Sequence, residues 1–70
     1  MKLLENAIKC AHCGQRVVSR YRHDFSTHSC ERMKQKSGED AFIFVDGGNV
    51  YQRIGGVDSD WTDDSKWGEA

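Results

Sequence analysis

Proline is absent from this chain. Turns pinned by a pyrrolidine ring are thereby excluded, and chain reversals rest on glycine, of which there are seven. No apolar run is long enough to span a bilayer. The N-terminal residues lack the apolar stretch of a secretory signal. The expectation is a soluble protein with no membrane role, in a reducing compartment. Cysteine is scarce and odd in number, at three. An odd count without a secretory signal argues against a disulfide framework. Apolar residues are also few, 37% against 30% charged. Seventy residues make one domain, and a domain that small buries only about 60% of its unfolded surface. A core this thin needs a staple.

The staple is legible between Cys10 and Cys30, a stretch that holds all three cysteines and all three histidines. Structural zinc takes four ligands in a tetrahedron, mostly thiolates with some imidazoles. Cys10 and Cys13 form a C-x2-C pair followed at once by Gly14, which lets the chain curl away from the ion. His28 and Cys30 supply a second pair. The reading is one structural Zn²⁺ held by Cys10, Cys13, His28 and Cys30. His23 is the alternative to His28, and His12, inside the turn, is expected to point outward. Zinc binding to finger-type peptides contributes roughly 10–16 kcal/mol, against a usual net stability of about 5–15 kcal/mol. The ion therefore decides whether the chain folds.

Charge is segregated. Residues 1–36 carry eight Lys/Arg against three acids, and residues 37–70 two against eight. Arg16, Arg20, Arg22, Arg32, Lys34 and Lys36 form a candidate basic surface for phosphates or an acidic protein. The plainer reading of the arginines is a solvated strand face. Residues 16–22 read as a strand with Val17, Ser19 and Tyr21 on one face. His23-Asp24-Phe25 ends it, with Asp24 accepting turn hydrogen bonds and Phe25 packing under the ion.

The rest reads as appended pieces. Residues 1–8 are a short lead-in. Residues 31–40, charged and without apolar period, are an exposed insertion with one helical turn. Residues 41–45 form the clearest strand. They return through a two-residue Gly47-Gly48 hairpin to 50–54, setting Val45 against Val50 and Phe44 against Tyr51. The domain closes at residue 56. Residues 57–70 form an acidic, loosely held tail in which Trp61 docks on the sheet, or Trp61 and Trp67 anchor a partner.

With these motifs assembled, the chain resembles a family of short, mostly uncharacterised proteins of bacteriophages and bacteria. The resemblance rests on Asn6-Ala7-Ile8, Cys10, Cys13-Gly14, Arg22-His23-Asp24-Phe25, His28 and Cys30, Val45-Asp46-Gly47-Gly48, Tyr51 and Arg53, in that order. It covers about residues 6–54. The family pattern has C-x-C at the second half-site; here His28 stands at the first of those cysteines, which supports it over His23. The family also links that site to Val45 by a shorter segment than residues 31–40 provide. The resemblance implies a zinc-ribbon-like domain and a phage-type accessory role, and no chemistry.

The expected fold is a small metal-stapled β domain, zinc-ribbon-like, with two or three antiparallel strands. The expected function is a non-enzymatic protein that binds and modulates a host protein such as transcription, defence or nuclease machinery. The alternative is a nucleic-acid-binding ribbon that uses the basic half. A hydrolase built on His23 and Asp24 is disfavoured, because the thin core leaves little room for a pocket. No small-molecule substrate is expected.

Overall fold

The computed structural model describes residues 2–69. Among them, seven strands, one helix and one 3₁₀ turn form two antiparallel sheets. In chain order these are β1 (Lys2–Cys10), β2 (Arg16–Ser19), β3 (Ser26–His28), α1 (Glu31–Ser37), β4 (Ile43–Asp46), β5 (Arg53–Gly55), the 3₁₀ turn (Asp58–Asp60), β6 (Trp61–Asp63) and β7 (Lys66–Gly68). The first sheet is built around β1, with β2, β6 and β7 all antiparallel to it. The second runs β3-β4-β5. The expected two or three strands undercount the fold.

The core lies between the sheets. Ile8 and Cys10 of β1, Val17 of β2, Met33 of α1 and Ile43 and Val45 of β4 form one buried cluster. Cys30, Ala41, Ile54 and Trp61 pack around it. Cys10 thus belongs to the hydrophobic core and Cys30 packs against it, so the core runs continuously into the Cys/His cluster.

Several expectations need correction. Residues 1–8 are no lead-in: β1 is the longest strand and the axis of the first sheet. Residues 31–37 are a helix, and its single apolar residue, Met33, is 0% exposed. The segment, although most of its residues are exposed as expected, is anchored to the core through that one side chain. The β4–β5 hairpin has no two-residue turn. Val45 faces Ile54 and Asp46 faces Arg53, so residues 47–52 form the loop, and Val50 is exposed. The cause is local. Gly47 and Gly48 both take positive φ, and a Cβ on Gly48 would strike the Tyr21 backbone. The loop is thereby pressed against the turn that follows β2 instead of reversing at once.

Residues 57–69 do not hang loose. β6 and β7 run back along β1, with Cys10 opposite Trp61 and Leu3 opposite Trp67. Between the two strands the Ser65 side chain continues the ladder. The Ala7 amide donates to Ser65 Oγ (3.0 Å), and the Ser65 hydroxyl and Asp64 amide both donate to the Ala7 carbonyl (each 3.0 Å). Trp61 does dock on the sheet, packed against the core.

Met33→Ala should cost about 2–5 kcal/mol of unfolding free energy in the metal-loaded protein, the usual range for truncating a buried methionine. An exposed segment would lose under about 0.5 kcal/mol. Urea denaturation followed by circular dichroism separates the two.

Candidate metal centre

Three pieces of chain converge on one point. Cys10 ends β1. Cys13 follows in a tight turn closed by the Gly14 amide donating to the Cys10 carbonyl (3.0 Å) and the Cys10 amide to the Gln15 carbonyl (2.8 Å). Positive φ at Gly14 completes that turn. His28 ends β3, whose pairing with β4 (His28 opposite Ile43) sets its ring on the inner side. Cys30 is the N-cap of α1.

The donor atoms of Cys10, Cys13, His28 and Cys30 all lie within 4.8 Å of one another. The Cys10 and Cys30 sulfurs are 3.8 Å apart. Two thiolates about 2.3 Å from one tetrahedral zinc are separated by about 3.8 Å. Cys13 Sγ and His28 Nε2 lie 3.2 Å apart. The donors therefore fit one tetrahedral ion of the zinc type, and the four residues are the four expected from spacing.

The electrostatics distinguish the thiols. Burial pushes the Cys10 thiol up. The Cys13 and His12 amides directed at its sulfur, with hydrogen bonds from the Cys13 and Cys30 thiols, outweigh burial and leave it below its ordinary value. The Gln15 amide lowers Cys13, but burial and the neighbouring Cys10 and Cys30 sulfurs raise it, and the net shift is upward. The turn thus favours thiolate at the buried position, where a metal must bind without water.

The other two histidines are committed elsewhere. His12 does not point outward: its Nε2 lies 2.7 Å from Oδ1 of Asp60, a carboxylate fully removed from solvent. The Ser37 hydroxyl donates to the same oxygen (2.9 Å), and the Ala11 amide to the Asp60 carbonyl (2.9 Å). The His12 hydrogen bond holds the Asp60 carboxyl below the usual carboxylate range, against the opposing effect of burial. Asp60 therefore ties the metal turn, α1 and the 3₁₀ turn together. His23 sits in the left-handed region (φ 67°), beside Tyr51. Phe25 does not pack under the ion; it stacks on Phe44 at the outer face of the second sheet. Asp24 does accept turn hydrogen bonds, from the Arg20 amide to its carboxylate (2.8 Å) and from the Ser19 hydroxyl to its carbonyl (2.7 Å).

The basic surface divides. Arg16 is occupied by Glu5 and Asp64, both of which it contacts directly, so it is withdrawn from any partner. Arg20 and Arg22 are exposed on the turn after β2. Arg32 lies on α1 and donates to the His12 carbonyl (3.3 Å). Lys34 and Lys36 lie in the last turn of the same helix. Trp67 is half-exposed on β7.

Sequence reasoning missed Asn6. It is buried, and its Nδ2 donates to the carbonyls of Asp46 (2.8 Å) and Tyr51 (3.2 Å), clamping β1 to the 47–52 loop. Ser19, also buried, accepts from the Gly48 amide (2.9 Å). Asp46 accepts from the Tyr51 hydroxyl (3.3 Å). The available signals were its place in the Asn6-Ala7-Ile8 motif of the resemblance and its polarity inside an apolar run, neither of which discloses its partner.

Residues 2–56 match the family described as Domain of unknown function (DUF7695). The chain belongs to that family. No curated protein and no solved structure matches it. The match stops before β6 and β7, so the strands that complete the first sheet lie beyond the matched residues. Among the described residues, no helix is long and apolar enough to cross a membrane.

Cys30→Ser should abolish stoichiometric metal and the cooperative unfolding transition, since it removes a donor and the core contact together. His23→Ala should keep one ion per chain. Elemental analysis by mass spectrometry on the purified variants decides both.

Proposed function

We propose that the protein is a small accessory module held together by one structural zinc ion and acting by contact with a macromolecule, not by catalysis. The observation that carries this is the Cys10, Cys13, His28 and Cys30 cluster. Its four donors match a closed tetrahedral shell, whereas a catalytic zinc keeps one position for water or substrate. The donor set and the thin core together support a zinc-ribbon-like assignment for the domain.

The accessory reading draws on the resemblance to short phage proteins, with a host protein or a nucleic acid as partner in the bacterial cytoplasm. Trp61 packs on the core, which takes it out of an anchoring role, while Trp67, on β7 beside β1, stays half-exposed. The nucleic-acid reading loses Arg16 and keeps Arg20, Arg22, Arg32, Lys34 and Lys36. The Asp24 carboxylate accepts from the Arg20 amide of its own turn and His23 lies beside the Tyr51 hydroxyl, which supports a structural role for both.

Cobalt substitution tests the structural role. Co²⁺ in a closed shell should give a tetrahedral visible spectrum that does not change on adding azide or cyanide. A spectrum that shifts with either anion reveals an open position and overturns the reading.

A further inference from the structure

The outer face of the second sheet carries a row of aromatic rings that the core does not use. Alternation along β4 turns Ile43 and Val45 inward and Phe42 and Phe44 outward. Register places Thr27 of β3 and Gly55 of β5 on either side of Phe44. A Cβ at Gly55 would run into the Phe44 ring, so glycine lets that ring lie across the strand. Phe25 stacks on Phe44 with centroids 4.8 Å apart and planes 27° from parallel. Phe42 lies 6.2 Å from Phe44 at 29°. The Arg53 guanidinium stands 5.5 Å from the Phe44 centroid. Phe25 and Phe42 are nonetheless 51% and 46% exposed. Near-parallel rings with open faces, beside a cation, offer what an unpaired base and its phosphate require.

Charge selects the occupant. Arg22 is exposed on the turn that carries Phe25, and Arg53 is exposed beside Phe44, whereas Arg20 of the same turn lies towards Glu5 on the first sheet. The carboxylates at the Phe25 end are withdrawn from the surface or held in their own turn. Asp46 is buried, with one oxygen facing the Tyr51 hydroxyl and Arg53 and the other without a partner, and Asp24 is held by the Arg20 amide, with the Ser26 hydroxyl 3.5 Å away. Glu39 and Asp40 precede Phe42, so a polyanion approaches from the Phe25 end. An apolar protein segment would gain from the rings and nothing from Arg22 and Arg53.

We propose that this face binds a single-stranded polynucleotide, with bases stacked on Phe25 and Phe42 and phosphates held by Arg22 and Arg53. The inference rests on the reading of the protein as a non-catalytic binding module. It differs from the basic surface expected from sequence, because the rings select single strands.

Fluorescence anisotropy of the zinc-loaded protein with labelled dT12, rU12 and a 12-base-pair duplex tests it. Expected is binding of either single strand in 50 mM salt, weaker by about sevenfold at 200 mM if two phosphates are contacted, and much weaker duplex binding. The double variant Phe25→Leu, Phe42→Leu keeps apolar bulk and should lose about tenfold or more in affinity. Zinc content and thermal melting verify that it is folded. Lys66→Gln, on the other sheet, removes the same charge as an arginine variant and should change binding less than about twofold. Equal affinity for duplex, full affinity in the double variant, no binding to either strand by folded protein, or a protein partner that protects Phe25 and Phe42 in a footprint would each overturn the proposal. None of these touches the closed-shell zinc reading, which the cobalt spectrum tests separately.

Discussion

Four donor atoms from separate pieces of chain must reach one point, and that requirement organises the molecule. Cys10 fixes the end of β1, Cys13 the turn beyond it, His28 the end of β3 and Cys30 the start of α1. The first two belong to one sheet and its loop, the other two to the second sheet and the helix. An ion held there joins the two sheets at the edge of a core that contains few large side chains. Because Cys10 is a core residue and Cys30 packs against the core, binding of an ion there and apolar packing would be one event and not two additive ones.

A second fastening lies at the other end of the interface and uses no metal. Asn6 and Ser19, both buried on the first sheet, hold the backbone of the 47–52 loop on the second. Gly48 beneath Tyr21 brings the two turns together, and this places His23 against Tyr51. The motifs of the family resemblance thus divide between the two fastenings. The cysteines and His28 serve the first; Asn6, Asp46, Gly47, Gly48 and Tyr51 serve the second. Phe25 and Arg53 serve neither and lie on the outer aromatic face.

The metal cluster was readable from sequence because its chemistry is local: C-x2-C-G and H-x-C are pairs whose spacing is set by tight turns. Strand β4 was readable from its apolar alternation. The misreadings share one cause, that tertiary contacts override local signals. In β1, Asn6, Ala7 and Ile8 are all buried in succession, so the strand shows no clean alternation. In α1, one methionine supplies the whole buried face, and a single residue has no period. Acidic composition suggested a solvated tail, yet the ladder to β1 and the docking of Trp61 do not depend on overall charge. The two-glycine turn was inferred from a general hairpin preference, and the crowding under Tyr21 that lengthens the loop is invisible along the chain.

The strands beyond the family match cover backbone of β1 that would otherwise be open. β2 occupies one flank of β1, and β6 and β7 lie along it as well, with Ser65 filling the gap between them. Stripped of these late strands, β1 would bare a rail of unsatisfied amides and carbonyls, an invitation to any extended peptide nearby. The last stretch of chain is thus a selvedge, woven along the margin so that the fabric neither unravels nor snags on its neighbours.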